Sequence, residues 1–160
     1  MNITKNVAGI QKICSKSKIR EELTGICFGD GKAVATDSFS LIEVKSDLLE
    51  GEAFILADLK VKKEADVQVV DGVAHIVEAG KKTLIPVIEG SFPDYEKVMD
   101  DSEPLATIKV NAKYLANVCT ALSGFDPFSK VSLSIKKDRI EITTKGADGE
   151  VRAIIMALTS

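Results

Sequence analysis

One pattern recurs along this sequence, and it limits the possible folds more than any other feature. An amphipathic segment is followed by short apolar runs that are separated by turn signals rich in Gly and Asp. From Thr4 to the turn at Asp30 is 26 positions, and from Asn111 to the turn at Lys137 is also 26. Such periodicity is typical of a chain built from copies of one supersecondary unit.

We interpret the pattern as three β-α-β-β-β repeats, in which each predicted strand is a β-rich run bounded by a turn. The repeats and the connector between the last two are predicted at residues 1–48, 52–91, 92–104 (the connector) and 105–158. The predicted fold class is α+β, with helices on one face of antiparallel sheets.

The helical part of the repeat differs between the three copies. An amphipathic helix is predicted over 4–18, and another over 111–122, where Asn111 is a plausible N-cap. The middle repeat has only a short helix candidate, over 57–65. We therefore expect two well-formed helices and one shortened one.

Composition excludes several classes of protein. The 45% apolar and 28% charged content is ordinary for a globular protein, and no apolar run approaches the roughly eighteen residues of a membrane span. The N-terminus lacks the apolar core of a secretory signal. Three distant cysteines, Cys14, Cys27 and Cys119, include no C-x-x-C pair, which favours free thiols over disulfides or zinc. We expect a cytoplasmic protein without a membrane partner.

Positive charge is concentrated on the predicted helix surfaces, although the net charge is −3. On a helical wheel, Lys5, Lys12 and Lys16 fall within about 40° of one another. They lie opposite Val7 and Ile10, which would face a sheet. The first helix would therefore present a lysine stripe to its surroundings.

The other repeats extend this pattern. Lys60, Lys62 and Lys63 lie in the middle helix candidate, and Lys113 lies on the polar face of the third helix. Residues 4–18 contain no carboxylate. Lysines without Arg, Asn or aromatic partners suit phosphate contact without base readout, so DNA binding would be sequence-independent and salt-sensitive. The alternative is that these lysines only keep the helices soluble.

The sequence offers no constellation typical of a catalytic site. The single histidine, His75, sits in a strand-like run without metal-ligand spacing. The Gly29–Lys32 turn is not followed by a helix, which a phosphate-binding loop would require. We expect no enzyme activity, no catalytic residue, no metal and no cofactor.

Four stretches resemble the bacterial β sliding clamp, the processivity ring of the replicative DNA polymerase. They are "LTGICF" (23–28), "VATDSFSLIEV" (34–44), "GSFPDYEKVM" (90–99) and "AIIMAL" (153–158). They occur in the order that the clamp family has. The resemblance implies a DNA-clamp-like ring whose helices line a hole around double-stranded DNA. Lys5, Lys12, Lys16, Lys60, Lys63 and Lys113 would then face the DNA.

The resemblance also implies a hydrophobic groove for short peptides of the DNA polymerase, the clamp loader and repair proteins. By motif position its wall would consist of Leu23, Thr36, Ser38, Phe39, Leu41, Pro93, Val98, Ile154, Met156 and Leu158. Phe92 and Tyr95 would instead pin the connector onto the core. The chain departs from the family at residues 38–40, where Ser-Phe-Ser replaces Gly-His-Arg, so the groove gains an aromatic ring and loses a cation.

Length is the largest departure, because clamp subunits carry six such repeats and dimerise to twelve. The three repeats here lead us to expect a homo-oligomer in which four copies, joined head to tail, complete a ring. An alternative is a non-ring adaptor or decoy that keeps only the peptide groove. An unrecognised hydrolase is the weakest alternative, since no nucleophile is paired with a base.

Overall fold

The computed structural model describes residues 1–99, 102–147 and 149–158. The chain forms two compact units, Met1–Val98 and Met99–Ser160, here called the N-terminal and C-terminal units. Each unit has its own hydrophobic core. Parts of the predicted connector (Asp100 and Asp101) and of the predicted turn at 146–149 (Asp148) lie outside the described residues.

The N-terminal unit contains two four-stranded antiparallel sheets. Their strands are β1 (Asn2–Thr4), β2 (Ile26–Gly29), β3 (Lys32–Thr36), β4 (Leu41–Lys45), β5 (Phe54–Leu56), β6 (Glu64–Val70), β7 (Val73–Glu78) and β8 (Lys81–Pro86). The strand orders are β4-β3-β2-β5 and β1-β6-β7-β8. Alternating burial along β2 and β6 reflects one face on the core and one toward solvent.

The first two predicted repeats exchange their first strands. β1 comes from the first repeat but pairs with β6 of the second, where Ile3 lies opposite Ala65. β5 comes from the second repeat but pairs with β2 of the first, where Leu56 lies opposite Ile26. The four residues are almost completely buried and belong to one core. The two repeats therefore fold as one interlocked body, while their boundaries at 48 and 52 stay a prediction.

The first helix is much shorter than predicted. Helix α1 (Lys5–Ala8) continues as a 3-10 helix over Gly9–Ile13 and ends there, not at residue 18. Gly9 weakens the α-helix, and the Ser15 N–H bonds the Leu23 carbonyl at 2.8 Å, which draws the chain away from a helical path. The predicted apolar face is confirmed, since Val7 and Ile10 are buried.

The helix predicted over 57–65 is wrong. Described residues 57–63 form irregular backbone, with Asp58 in the left-handed region at φ 54°, and β6 begins at Glu64. Side chains bond this backbone instead of helical carbonyls: the Lys62 and Lys63 N–H groups donate to the Glu78 carboxylate at 2.7 and 3.0 Å. Tertiary hydrogen bonds thus outweigh the weak local propensity.

The C-terminal unit packs one helix on one three-stranded sheet. Its elements are α2 (Ala112–Leu122), β9 (Ser132–Ile135), β10 (Arg139–Gly146) and β11 (Gly149–Met156), with sheet order β11-β10-β9. The predicted cap is confirmed, because the Lys113 N–H donates to the Asn111 side chain at 2.9 Å. Leu122, Ile140 and Ile142 form the centre of the core. The α+β class with antiparallel sheets is confirmed.

None of the helices in the described part of the chain is long and apolar enough to cross a membrane.

Candidate functional site

Hydrogen bonds join the lysine-bearing segments of the first two repeats in the N-terminal unit. The Lys5 N–H donates to the Lys63 carbonyl at 2.6 Å. The Leu59 N–H donates to the Gln11 side chain at 2.8 Å, which ties the irregular segment 57–63 to the 3-10 helix. Although the middle helix is absent, this segment still carries its lysines to the side of the unit where the first helix lies.

Two open clefts mark this side. The first, of about 340 Å³, is lined by Lys12, Lys16, Lys18 and other residues, and the second, of about 900 Å³, by Lys60, Lys62, Lys63, Lys81 and others. Asp58 lines both clefts, so they adjoin. We call Lys5, Lys12, Lys16, Lys60 and Lys63 the lysine surface.

The lysine surface is electrostatically available. Its five side chains are exposed, and among the residues that the structure describes none of them forms an ion pair. By contrast, Lys32 pairs with Glu96 at 2.8 Å and Lys97 with Asp94 at 2.9 Å. Free ammonium groups can approach an anion without first breaking an internal contact.

Carboxylates are also present in the clefts, and one of them is already engaged. Hydrogen bonds from the Lys63 and Lys62 N–H groups lower the pKa of Glu78. These donors stabilise the ionised form, so Glu78 keeps its negative charge beside the lysines. Sequence reasoning did not assign Lys81 to this site because it lies in a strand; its position opposite Glu78 in the β7–β8 hairpin is the signal that would have found it.

Lys113, the remaining predicted DNA-facing residue, belongs to the C-terminal unit. It is exposed near the start of α2. Its role on the DNA side stays a prediction.

The predicted groove residues of the N-terminal unit centre on the turn between β3 and β4. The Asp37 carboxylate accepts hydrogen bonds from the Phe39 N–H at 2.9 Å and from the Ser40 N–H at 2.7 Å, and these bonds lower the pKa of Asp37. The Thr36 hydroxyl donates to the Ser40 carbonyl at 2.7 Å. Ser38 adopts φ 78°. This fixed turn holds the Phe39 side chain 97% exposed.

The other groove residues of this unit differ in exposure. Leu41 is half-buried beside the turn, and Val98 is exposed. Pro93 lines a cleft along β2 and β3 that includes none of the turn residues. Leu23 is only 2% exposed, so it can support a groove from beneath but offers little surface to a peptide.

The connector is fastened to β4 by a polar contact of Tyr95. The Phe92 and Tyr95 rings meet edge to face with centroids 6.3 Å apart. The Tyr95 hydroxyl donates to the Glu43 carboxylate at 3.2 Å. Burial raises the pKa of Tyr95, and the hydrogen bond to Glu43 adds to this shift. Half-buried Tyr95 thus ties the connector to β4, as expected, whereas the contact of Phe92 lies within the connector and its role as a pin stays a prediction.

The C-terminal unit carries the other three predicted groove residues on or just after β11. Ile154 and Met156 alternate along the strand and are exposed, and exposed Leu158 follows it. Ile154 lies opposite Glu141, and hydrogen bonds from Arg139 and Arg152 lower the pKa of that carboxyl. The predicted groove residues are thus divided between the two units, and in the N-terminal unit Pro93 lines a cleft apart from the turn residues; their role in one groove stays a prediction.

The described residues include no cluster suited to a metal ion, and the single histidine and Cys14 lie in structural surroundings. No group of three or more His, Cys, Asp or Glu side chains in this part of the chain could hold a metal ion. His75 lies half-buried in β7 between Gln68 and Leu84 on the neighbouring strands. Burial raises the pKa of the Cys14 thiol to about 11, which keeps it protonated and unreactive.

Comparison with solved structures identifies the fold. The chain is similar to the DNA polymerase III beta chain of Streptococcus pneumoniae, with a TM-score of 0.75 and 17% identity over 99% of this chain and 49% of that one. It is similar to the DNA polymerase sliding clamp of Bacillus subtilis, with a TM-score of 0.70 and 20% identity over 98% of this chain and 48% of that one. It is also similar to the DNA polymerase III beta subunit from Thermotoga maritima, with a TM-score of 0.67 and 18% identity over 98% of this chain and 49% of that one.

These similarities show that the chain has the sliding-clamp fold, as the sequence resemblance implied. The chain spans about half the length of the structures that it matches. No protein-family model matches the sequence, and no curated protein matches it.

Proposed function

We propose that this chain, which has the sliding-clamp fold, is a small DNA sliding clamp: a non-catalytic processivity factor that encircles duplex DNA without sequence specificity. The lysine surface is the observation that carries the proposal. It lies on the side of the N-terminal unit to which the first helix belongs, and its lysines form no ion pair with any residue in the part of the chain that the structure describes. We place the protein in the cytoplasm, where DNA replication proteins of this kind act.

The chemistry of the lysine surface favours phosphate over bases. Lysine is a point charge on a flexible stem, so it contacts the DNA backbone without a fixed geometry. Each phosphate neutralised releases counterions, and the logarithm of the binding constant should fall by about 0.9 per contact for each tenfold rise in salt. Five lysines per chain, repeated in several copies, give loose contacts that would permit sliding.

The test is retention on DNA of different topology. The protein, assembled in the presence of DNA, should leave a closed circle slowly and leave linear DNA of the same sequence quickly, because only free ends allow a ring to slide off. Blocking both ends of the linear DNA with bulky protein roadblocks should restore retention. Equal retention on the circle and on the open linear DNA would refute encirclement.

Four copies would supply the twelve repeats of a clamp ring, so we propose a tetramer as the DNA-bound form. The support is the repeat count and the half-length coverage of the structural matches. Native mass spectrometry of the DNA-bound protein should give four chains. Any other stoichiometry on DNA would count against the tetramer.

We further propose that the exposed apolar residues of the β3–β4 turn and of β11 bind short peptides of the polymerase and the clamp loader. Phe39 is the strongest anchor, because a hydrogen-bonded turn holds its ring in solvent. Covering one such side chain is worth roughly 1.5–3 kcal/mol, so two anchors could give micromolar affinity. Phe39→Ala should weaken binding of a clamp-binding peptide about tenfold or more in fluorescence anisotropy, whereas Phe128→Ala, which removes another exposed ring, should not.

A second candidate function is a non-ring adaptor or decoy that binds the same peptides. The half-length of the chain favours it. Such a protein would bind peptides normally but would be released from circular and linear DNA at the same rate.

A further inference from the structure

The C-terminal unit is built like one half of the N-terminal unit. In the N-terminal unit each series of three strands receives a fourth strand from the other repeat, always next to its first strand: β5 beside β2, and β1 beside β6. The C-terminal series β9, β10 and β11 has no such strand among the described residues, so β9 is an edge. This inference rests on the fold and not on the proposed DNA function.

The uncovered edge leaves core-facing side chains in solvent. Leu133 and Ile135 of β9 lie opposite Ile142 and Ile140, which are buried, so all four share the core face of the sheet. Nevertheless Leu133 is 59% exposed and Ile135 is 49% exposed.

The corresponding residues of β2 show what the missing strand does. Counting back from the hairpin turn, Ile26 and Phe28 occupy the places of Leu133 and Ile135. They lie opposite Leu56 and Phe54 of β5, and they are 0% and 1% exposed. The covering strand therefore accounts for the difference.

Natural edge strands are usually protected by charges, prolines or bulges. β9, with the sequence Ser-Leu-Ser-Ile, contains no charged residue and no proline. The unprotected edge and its exposed apolar side chains indicate that β9 is covered in the functional assembly.

The chain contains a segment that could cover such an edge, although this segment pairs with no strand. Residues 105–110 precede α2 just as β1 precedes α1, and none of these described residues belongs to a strand. The Leu158 N–H donates to the Lys109 carbonyl at 2.8 Å. The Ile88 N–H donates to the Ile55 carbonyl of β5 in the same way, at 2.9 Å. Residues 105–110 are thus held at the position that β5 has in its own repeat.

We propose that a second copy of this chain covers β9, and that two C-terminal units exchange residues 106–110 about a two-fold axis. Each unit carries both an unpaired strand and an open edge, so two identical copies satisfy each other. Half-buried Ile108 and Val110 pack on the core of their own unit. In the exchange Ile108 would lie opposite Leu133 and Val110 opposite Val131 of the second copy. This interface would be isologous, in contrast to the head-to-tail contact that the repeat count alone led us to expect.

Glycines indicate the register of the exchange. A Cβ atom at Gly25 would come within 2.8 Å of the Ile55 side chain, and at Gly29 within 2.8 Å of the Ala53 backbone, so the β2–β5 register requires glycine. The C-terminal unit has Ser132 and Lys136 at these places.

The β1–β6 register does not require glycine at the equivalent positions. It sets Asn2 opposite Asp66, and Asp66 has the place of Ser132. We therefore expect Lys109 of one copy opposite Ser132 of the other.

Disulfide trapping tests the exchange directly. Lys109→Cys and Ser132→Cys are purified separately, mixed as full chains and oxidised, so that any bond between the new cysteines joins two molecules. The mixture should yield cross-linked dimer well above either variant alone or the unmodified chain, which reports background from its native thiols. A mixture with Glu150→Cys, on the far edge strand β11, is the matched control.

A second measurement uses the exposed edge. Leu133→Asp is compatible with a free edge but not with a covered one, so it should weaken self-association at least ~100-fold in sedimentation velocity. Ser134→Asp, whose side chain points to the other face of the same strand, should change it less than ~5-fold by the same reasoning.

Cross-linking of Lys109→Cys to Ser132→Cys supports the exchange. Cross-linking to Ser134→Cys also supports it, because Ser134 would lie opposite Lys109 in a register like that of β2 and β5. Cross-linking to neither above the Glu150→Cys control, or an unmodified chain that stays monomeric at tens of micromolar, overturns it.

Discussion

The two compact units contain the same kind of repeat, yet only one of them has a closed core. In the N-terminal unit two repeats exchange strands, and residues from both sheets and from α1 are buried together. In the C-terminal unit one helix and three strands leave apolar side chains of β9 in solvent. The comparison teaches that a pair of repeats forms a closed core in this fold, whereas a single repeat forms only half of such a core.

The largest expected difference concerns equivalent core positions. Phe28→Ala should lower the free energy of unfolding of the N-terminal unit by about 3–5 kcal/mol, because it removes a buried ring that stacks on Phe54. Ile135→Ala, at the equivalent place on β9, should cost less than about 1 kcal/mol when the chain is monomeric.

Urea unfolding of the Phe28→Ala and Ile135→Ala variants, at low micromolar and at high protein concentration, measures this difference. The cost of Ile135→Ala should grow with protein concentration, because a second copy then covers the side chain. If both variants lost the same stability at every concentration, the two edges would not differ.

The next difference concerns close approach of the exchanged strand. Gly25→Ala should destabilise the N-terminal unit by about 1–3 kcal/mol, because the added Cβ would lie 2.8 Å from the Ile55 side chain and 2.9 Å from the Leu56 backbone. Ser132→Ala, at the equivalent position, should be neutral within about 0.5 kcal/mol. Thermal unfolding followed by circular dichroism measures both, and a neutral Gly25→Ala would contradict the tight pairing of β2 with β5.

Strand exchange itself could not be predicted from the sequence, whereas the hairpins could. The β2–β3 turn at Asp30 and the Asn111 cap are local signals, and both were found. The pairing of β1 with β6 joins residues about sixty positions apart, and nothing local specifies it.

The helix predicted over 57–65 failed for the same kind of reason. The Glu78 carboxylate, distant in sequence, satisfies the backbone of Lys62 and Lys63.

The candidate sites, like the fold, could be predicted from the sequence only in part. The lysine stripe was predicted with an α-helical wheel, which applies only to Lys5–Ala8, so the stripe is wrong as one α-helical face: Lys12 lies in the 3-10 helix and Lys16 beyond it. A backbone hydrogen bond nevertheless joins Lys5 to Lys63. Motif position could not show that Leu23 is buried while Phe39 is fully exposed, since burial depends on how distant segments pack.

A third prediction compares the DNA contacts of the two units. Lys12→Glu with Lys16→Glu should weaken DNA binding more than tenfold at low salt and reduce the salt slope by about two, because two phosphate contacts become repulsive in each copy. Lys136→Glu with Lys137→Glu, an equal change of charge on the β9–β10 turn, should have a much smaller effect. Fluorescence anisotropy across a salt series provides the measurement, and equal losses would show that only net charge matters.

The smallest expected effect concerns the connector. Tyr95→Phe removes the hydroxyl that bonds Glu43 and should cost about 1 kcal/mol at pH 7. Although burial opposes it, hydrogen bonds from Lys45 and Tyr95 lower the pKa of Glu43 from its ordinary 4.5. The stabilisation from this carboxylate is therefore present above pH 4.5 and is lost as the pH falls through the lowered value.

The difference between Tyr95→Phe and the unmodified chain should accordingly shrink in acid. Thermal unfolding at pH 7 and pH 3 measures it. A difference that stays constant or grows in acid would show that Glu43 does not hold the connector.

The most direct test of the account is the native mass of the protein with and without DNA. The chain mass is 17.2 kDa. The account predicts a two-chain species held by exchanged C-terminal units and a four-chain species on DNA. A single-chain mass under both conditions, at concentrations where the fold is intact, would contradict it.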